Sequence, residues 1–391
     1  MNRPLRILSI ATLFPDAARP NFGLFVEKSL RALAAQPAID LTIVAPVGLP
    51  PLPLSLHRRY RALRDLPQTE PWNGLTVLRP RFTLIPRYGA RFNPAAVARA
   101  VLAASRGRRF DVVDAQFFYP DGPAAMRVAD ALGLPFSAKA RGTDISHFGH
   151  DPATRSQVIE AGAKAAGLLA VSEAMRGDMA AIGIDPVKVA VHYTGIDSAR
   201  FHPGDRAAAR AALGMGDAPA ILTVGALIAR KGQALVIEAL SALPGVHYWL
   251  AGAGEEEARY RALARERGVE QRVHFLGPVA NADLPELYRA ADAVVMPSAS
   301  EGLANAWVEA LACGTPIVIS DAGGAAELVT SSVAGRIVSR TPAAIAEAVQ
   351  AILAAPPAPS DVAASLGGRF DWDRNGRELA EHLQRCAGRR A

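Results

Sequence analysis

The sequence predicts an α/β fold in two domains. Three observations lead there. Short apolar runs of strand length alternate with helical patterns through both halves of the chain. The 391 residues exceed what one hydrophobic core normally serves. Several apolar runs end in Gly-bearing loops that feed a helix, as at Val224-Gly225 and Leu250-Ala251-Gly252. Together they imply two Rossmann-like domains facing a cleft, one over residues 1–200 and one over 205–370.

The first half opens with LRILSI at residues 5–10, a buried strand. Pro, Asp, Asn and Gly then make a loop, and a helix runs from about Leu24. Gly23, just before that helix, either lets backbone approach a ligand or only shapes the turn. Leu41 to Val47 reads as the next strand, and residues 48–92 read as irregular. Within them, HRRYRALRDLP fits a short amphipathic helix with Tyr60, Leu63 and Leu66 on one side and Arg on the other. Such a helix is either a membrane-surface element or a lid. An Ala-rich helix at 94–105 follows, then strands at Asp111–Ala115, Phe136–Ala140, Leu168–Val171 and Val187–His192. Ser172 is placed to cap the helix that ends at Gly183. At the carboxyl end of Phe136–Ala140 stands Arg141-Gly142-Thr143-Asp144. Ligands of open α/β sheets bind at such ends, so Arg141 and Asp144 are candidates; an Arg–Asp pair shaping a turn is the alternative. His147 and His150 have no Cys or further His nearby at ligand spacing, so no metal site is expected there.

In the second half, the strand Ile221–Gly225 leads into Ala226 to Gly232. Arg230 and Lys231 lie in that loop, where fixed cations can hold a diphosphate. Gly252-Ala253-Gly254 begins like a dinucleotide fingerprint, but Glu255, Glu256 and Glu257 would repel a pyrophosphate. A loop near a base or ribose is the expectation there. The stretch from Met296 to Ser320 reads as loop, helix, turn and strand. Its helix is expected to start near Leu303 or Ala304 and to stop before Gly314 and Pro316. Glu301 precedes the helix, while Asn305 and Glu309 share one of its faces. Trp307, Val308, Ala310, Leu311 and Ala312 surround Glu309, so its carboxylate is expected to be buried and to need partners. The amides of Leu303, Ala304 and Asn305 offer an anion site, with one carboxylate toward a sugar and one toward a ribose. A solvated Glu309, and a Glu301 that only offsets the helix dipole, are the plainer readings.

Composition narrows the classes. Residues 1–200 hold 25 Lys and Arg against 16 Asp and Glu, and residues 201–391 hold 18 against 21. The excess gathers at Arg58, Arg59, Arg61 and Arg64, at Arg79, Arg81, Arg87 and Arg91, and at Arg106, Arg108 and Arg109. No nucleic-acid module accompanies it, so an anionic membrane surface or a phosphate-bearing acceptor fits better; a merely basic surface fits as well. Cys313 and Cys386 form neither metal spacing nor a disulfide framework, which suits a reducing cytoplasm. The N-terminus reads as a first strand and not as a signal peptide, and no run approaches the roughly 20 apolar residues of a membrane span.

Residues along nearly the whole chain carry a resemblance. SEGLANAWVEALACGTPIV is similar to the Glu-x7-Glu donor motif of retaining glycosyltransferases of family four, with the GT-B fold. VGALIARKGQ, LAGAGEEE, VHFLGPV and GGAAELV follow that family's order, and FGLFVEKSLRAL, ARGTDI, VSEAM and YTGIDSARFHP resemble it too. The nearest likeness is to members that build exopolysaccharide or teichuronic-acid-type polymers. The resemblance implies an acceptor-binding first domain, a donor-binding second domain, and a last helix over 371–391 crossing back to the first. It implies that Glu301 binds hydroxyls of the donor sugar, that Gly302, Leu303 and Ala304 contact sugar and phosphate, that Glu309 holds the ribose, and that Lys231 holds the diphosphate, with Gly225 and Asn305 beside them. Gly23 would approach donor phosphate or acceptor. Two positions depart from the family. Ala226 stands where many members have Arg, with Arg230 as the substitute charge, and Arg141-Gly142 stands where many have His-Gly.

The implied activity is metal-independent hexosyl transfer with retention, from a nucleotide-diphosphate sugar to a glycan or polyprenyl-diphosphate-linked acceptor. The nucleotide sugar is a substrate and no cofactor is implied. The implied place is the cytoplasm, at the inner face of the cytoplasmic membrane, without nucleic acid. A nucleotide-sugar epimerase, a glycan phosphorylase and a non-catalytic sugar-nucleotide-binding partner stay open. A dehydrogenase is disfavoured, because the first strand is not followed by G-x-G-x-x-G.

Overall fold

The computed structural model describes residues 3–85 and 89–388. Of the arginines named above, Arg87 and the side chain of Arg59 lie outside the described residues. The chain divides into two compact units. One comprises residues up to Gly195 and from Trp372 onward, and the other runs from Ile196 to Asp371.

In the first unit the strands are β1 (Leu5–Ile10), β2 (Ile39–Val44), β3 (Val47–Leu49), β4 (Thr69–Trp72), β5 (Leu75–Leu78), β6 (Arg81–Thr83), β7 (Val112–Ala115), β8 (Phe136–Ala140), β9 (Gly167–Ala170) and β10 (Val189–Val191). Eight of them form one sheet in the order β10-β9-β8-β7-β1-β2-β5-β4. All its pairings are parallel except β4–β5. β1, β7, β8 and β9 are buried along nearly their whole length, as a sheet covered on both faces requires.

The region expected to be irregular holds four of these strands. β4 and β5 form a hairpin across Asn73-Gly74, both with positive φ (47° and 82°). Asn-Gly between strand-length runs is a strong local hairpin signal, set here within a Pro- and Arg-rich segment that otherwise reads as irregular. β3 and β6 pair as a separate parallel ribbon. Arg79 and Arg81 are therefore not surface charge. Arg79 is buried, bonded to the Glu70 carboxylate and the Pro15 carbonyl, and Arg81 donates to the Leu66 and Arg79 carbonyls.

The second unit adds β11 (Ala220–Val224), β12 (His247–Ala251), β13 (Val273–Gly277), β14 (Ala293–Met296), β15 (Ile317–Ser320) and β16 (Gly335–Val338). These form an all-parallel sheet in the order β13-β12-β11-β14-β15-β16. Its core joins Ile221, Tyr248, Val295 and Val318 of the strands to Val236, Ile237, Ile345 and Val349 of the helices.

The final helix, Trp372–Cys386, belongs to the first unit, where it lies against the Leu24–Ala34 helix. Leu379 and Leu383, one turn apart, join Val26, Leu30 and Leu33 in one apolar cluster. At Gly376 a Cβ would come within 2.3 Å of the Ala32 carbonyl oxygen, so only glycine permits this approach. Buried polar groups fix the register. Ser29 Oγ donates to Asn375 Oδ1 (2.9 Å), Asn375 Nδ2 donates to the Tyr193 carbonyl (2.6 Å), and His192 Nε2 donates to the Asn375 carbonyl (2.9 Å). His382 Nε2 meets Ser137 Oγ of β8 at 2.7 Å.

Asn375→Ala should therefore take one donor from the Tyr193 carbonyl and the acceptor from the buried Ser29 hydroxyl, at a cost of about 1–3 kcal/mol. Urea denaturation followed by a probe in the first unit is expected to show an earlier midpoint for that unit. An unchanged midpoint would mean that these bonds do not hold the helix in place.

Candidate functional site

In a parallel sheet, ligands collect beyond the carboxyl ends of the strands, where the strand order reverses. The second unit begins with β11; β12 lies on one side and β14 on the other, so its reversal falls between β11 and β14. The sequence-predicted cations and carboxylate meet at this point. The loop after β11 ends in a tight turn, Ala229–Lys231, and the loop after β14 carries Glu301. Lys231 Nζ lies 2.5 Å from Glu301 Oε1, and Arg230 Nη1 lies 3.6 Å from the same oxygen. Arg230 also donates to the Ser300 carbonyl, while the Ala299 amide donates back to the Arg230 carbonyl at 2.7 Å. The two loops are thus laced by side chain and backbone. Gly302 is tied from the far side, its carbonyl accepting from the Gly324 amide at 2.7 Å.

The helix after Glu301 runs from Asn305 to Ala312. It starts one or two residues later than the sequence predicts, because Ala304 keeps an extended ψ of 122° as the cap. Leu303 and Ala304 are buried, and their backbone leads into the amide end of the helix. Glu309 is buried, as its apolar neighbours imply. Its partners come from the protein: Tyr288 Oη donates to Oε2 at 2.9 Å, and Asn281 Nδ2 reaches Oε1 at 3.4 Å. Burial, then the adjacent Glu309 carboxylate, pushes the Tyr288 phenol well above its ordinary pKa, so it stays a donor. Neither Tyr288 nor Asn281 is legible as a site residue from sequence, since each is brought in by a different element.

The Gly252-Ala253-Gly254 loop has another explanation than the one its sequence invites. A Cβ at Gly252 would sit 1.9 Å from the Gly225 carbonyl oxygen, and one at Gly254 would sit 2.1 Å from that of Leu227. The Leu227 amide also donates to the Ala253 carbonyl at 3.0 Å. These glycines let the loops after β11 and β12 close-pack, which places Gly225, itself at φ 151°, inside that contact.

In the first unit the reversal falls between β1 and β7. A buried polar cluster lies there. Thr12, after β1, gives its amide (3.1 Å) and hydroxyl (2.6 Å) to Asp121, which opens the helix after β7. Ser9 Oγ and Gln116 Nε2 both donate to Asp114 Oδ2, at 2.7 and 2.6 Å. Arg141 donates from Nε to the Gln116 carbonyl (2.6 Å) and from Nη2 to Gln116 Oε1 (2.8 Å). Arg141 is thus anchored across β7 and β8, and burial lowers its pKa to about 10. Asp144 departs from its expected role. Its fully buried carboxylate accepts the amides of Phe118 (2.9 Å), Gly142 (2.6 Å) and Arg141 (3.0 Å). It shapes the Arg141-Gly142 turn, because three of its acceptor sites take backbone amides. Gly23 caps the first helix at φ 71°, and a Cβ there would meet the Leu13 carbonyl oxygen at 2.4 Å.

Asp121 and Gln116 were missed in the sequence. The signal was their place at the end of β7, but the reversal that singles it out needs the strand order. Burial, then the opposing Thr12 bonds, sets the Asp121 pKa at about 7, above its ordinary 3.8. Between those values the folded state keeps a proton that the unfolded state has lost. Stability from this group is therefore full below about pH 4 and is lost as pH rises to 7. Relative to Asp121→Asn, the wild type should lose denaturation midpoint steadily from pH 4 to 7. A pH-independent difference would show that the carboxyl is already ionised.

Among the described residues no group of three or more His, Cys, Asp or Glu could hold a metal ion. Likewise, no helix is long and apolar enough to cross a membrane.

Comparison with known proteins places these two units. Residues 26–200 match the family model described as Glycosyltransferase Family 4, and residues 205–365 match Glycosyl transferases group 1. The D-inositol 3-phosphate glycosyltransferase of Mycolicibacterium gilvum is 37% identical over 214 residues, 51% of this chain and 48% of that protein. Its Mycobacterium bovis counterpart is 37% identical over 218 residues, 53% of this chain and 45% of that one. The match thus spans about half the length of these curated relatives. Among solved structures, sucrose-phosphate synthase from Thermosynechococcus elongatus superposes with a TM-score of 0.82 at 20% identity, covering 97% of this chain and 98% of that one. Anabaena HepE in complex with UDP-glucose superposes with a TM-score of 0.70 at 23% identity, covering 97% of this chain and 100% of that one. The chain has the two-domain α/β GT-B fold, its residues 26–200 similar to the one glycosyltransferase model and its residues 205–365 to the other.

Proposed function

We propose that this chain is a glycosyltransferase that moves a hexosyl group from a nucleotide-diphosphate sugar to a glycan or lipid-linked acceptor. The proposed transfer proceeds with retention, without a metal ion, on the cytoplasmic side of the membrane, in surface-polysaccharide synthesis. The observation that carries this reading is the Lys231–Glu301 pair, with Arg230 beside it, at the strand reversal of the second sheet. Lys231 and Arg230 would hold the diphosphate, whose oxygens compete with Glu301 for the cations. Glu301, so released, would accept hydroxyls of the sugar. Gly302, Leu303, Ala304 and Asn305 would turn backbone toward sugar and phosphate at the helix start. Glu309 would take the ribose, a hydroxyl replacing the long Asn281 bond while Tyr288 keeps the carboxylate in place.

In the first unit, Gly23 and Arg141 stand at the carboxyl edge of the sheet, where they would meet acceptor or donor phosphate; Asp144 would act by positioning Arg141-Gly142. In the transfer, the acceptor oxygen forms a bond to the anomeric carbon as the bond to the diphosphate oxygen breaks. The acceptor's proton passes to the departing phosphate oxygen, and the cationic loop and helix start stabilise the charge developing there. UDP-glucose is the first donor to test, because HepE holds it on the same fold. The curated relatives are named for an inositol phosphate, which favours a soluble phosphate-bearing acceptor as the second reading.

Calorimetry against UDP should show Lys231→Ala and Glu309→Ala weakened on the order of 10- to 100-fold, the scale of a lost charge-assisted bond. Unchanged affinity in both would move the donor site elsewhere. Turnover should survive chelation of divalent cations by EDTA. In a panel of UDP-, GDP- and ADP-sugars, the true donor should raise the melting temperature most.

A further inference from the structure

The Arg58–Arg64 helix does not present its apolar side outward, as an amphipathic membrane helix would. Tyr60 and Leu63 turn inward and line a cavity of about 380 Å³ beside Thr12, Gly48 and Phe82, and Leu66 lies past the helix end. The exposed apolar surface is instead the turn that precedes it. Leu52, Leu54 and Leu56 are 73%, 56% and 61% exposed, in five consecutive residues. Isolated exposed leucines are ordinary, but three alternating along one short turn form a patch. Topology adds to it. Leu84 donates its amide to the Leu49 carbonyl at 2.8 Å, so the strands leading to the leucine turn and to exposed Ile85 leave the ribbon at one edge. Arg58, Arg61 and Arg64 are exposed on the helix that follows. No acidic residue occurs from Pro50 to Arg64; Asp65, the next residue, lies 3.6 Å from the Arg64 guanidinium and is the one acid beside the row.

Leucines beside a row of cations that outnumber the one neighbouring acid complement an anionic bilayer: acyl chains for the first, headgroup phosphates for the second. We infer that residues 50–64 dock this protein on the surface of an anionic membrane, with Leu52, Leu54 and Leu56 inserted and Arg58, Arg61 and Arg64 on the headgroups. The ribbon of β3 and β6 extends from the carboxyl end of β2, so the docked surface and the cavity belong to the same edge as Gly23 and Arg141. A membrane lipid could then present its head at that edge without leaving the bilayer. That consequence rests on the proposed lipid-linked acceptor; the docking itself does not.

The test is sedimentation of the full chain with phosphatidylcholine vesicles, with and without phosphatidylglycerol. The wild type should sediment only with phosphatidylglycerol present, and less at high salt. Arg58→Gln/Arg61→Gln/Arg64→Gln should lose binding on the order of 100-fold, at roughly fivefold per cation near the surface. Leu52→Ser/Leu54→Ser/Leu56→Ser should lose it while the melting temperature and UDP binding stay at wild-type values. Wild-type protein that ignores phosphatidylglycerol, or variants that sediment like wild type, would overturn the inference; the first result would give the patch to a protein partner instead. Vesicle binding without transfer to any lipid-linked acceptor would leave the docking standing and remove the acceptor reading alone.

Discussion

The candidate donor site depends on one ion pair, Lys231 with Glu301, flanked by Arg230. A carboxylate and two cations at the mouth of a parallel sheet are held together only because the loops after β11 and β14 are neighbours. Those loops are neighbours because the strand order turns between them. The pair is partly buried, so it is screened less than a surface pair, and its partners are fixed by backbone bonds before any ligand arrives. A phosphate entering here trades one anion for another at the same cations. That exchange costs less than desolvating cations that had no partner, and it frees a carboxylate where sugar hydroxyls would lie.

The first unit repeats the geometry with a different chemistry. At its strand reversal the polar groups point mostly at each other: Thr12 with Asp121, Ser9 and Gln116 with Asp114, Arg141 with Gln116. Lys139 and His192 extend the network at 2.8 Å, and burial lowers the pKa of both. A neutral His192 that donates from Nε2 to the Asn375 carbonyl accepts from Lys139 at Nδ1, which ties the final helix into the polar interior of the same unit. The last helix is therefore an integral part of the first unit, held by buried hydrogen bonds as well as by Leu379 and Leu383.

Much of this was legible in the residues. The buried strands, the alternation of strand and helix, the Glu309 carboxylate among apolar neighbours and the cationic Arg230-Lys231 loop all follow from local pattern. What the residues did not show has physical causes. For Asp144 the sequence leaves a ligand contact and a turn-shaping role open, because it does not show that three amides fold back onto the carboxylate. The packing role of the glycines after β12 was not legible, because close packing of two backbones leaves the same residue signature as close approach of a ligand. Arg79 and Arg81 were counted as surface charge, although their guanidinium groups serve buried carbonyls and a carboxylate.

By itself the sequence determined the α/β class, the two-part organisation and the chemical character of the second unit's loops. Period, propensity and turn chemistry are local properties, and each segment carries its own. Only the tertiary structure decided which loops face each other, that Tyr288 and Asn281 serve Glu309, and that Asp121 and Gln116 join the first unit's buried polar cluster. It also decided that the leucines before the Arg58–Arg64 helix, and not that helix's own apolar side, reach solvent. These are facts of strand order and of which side of an element is covered, and they are set by partners far away in the chain.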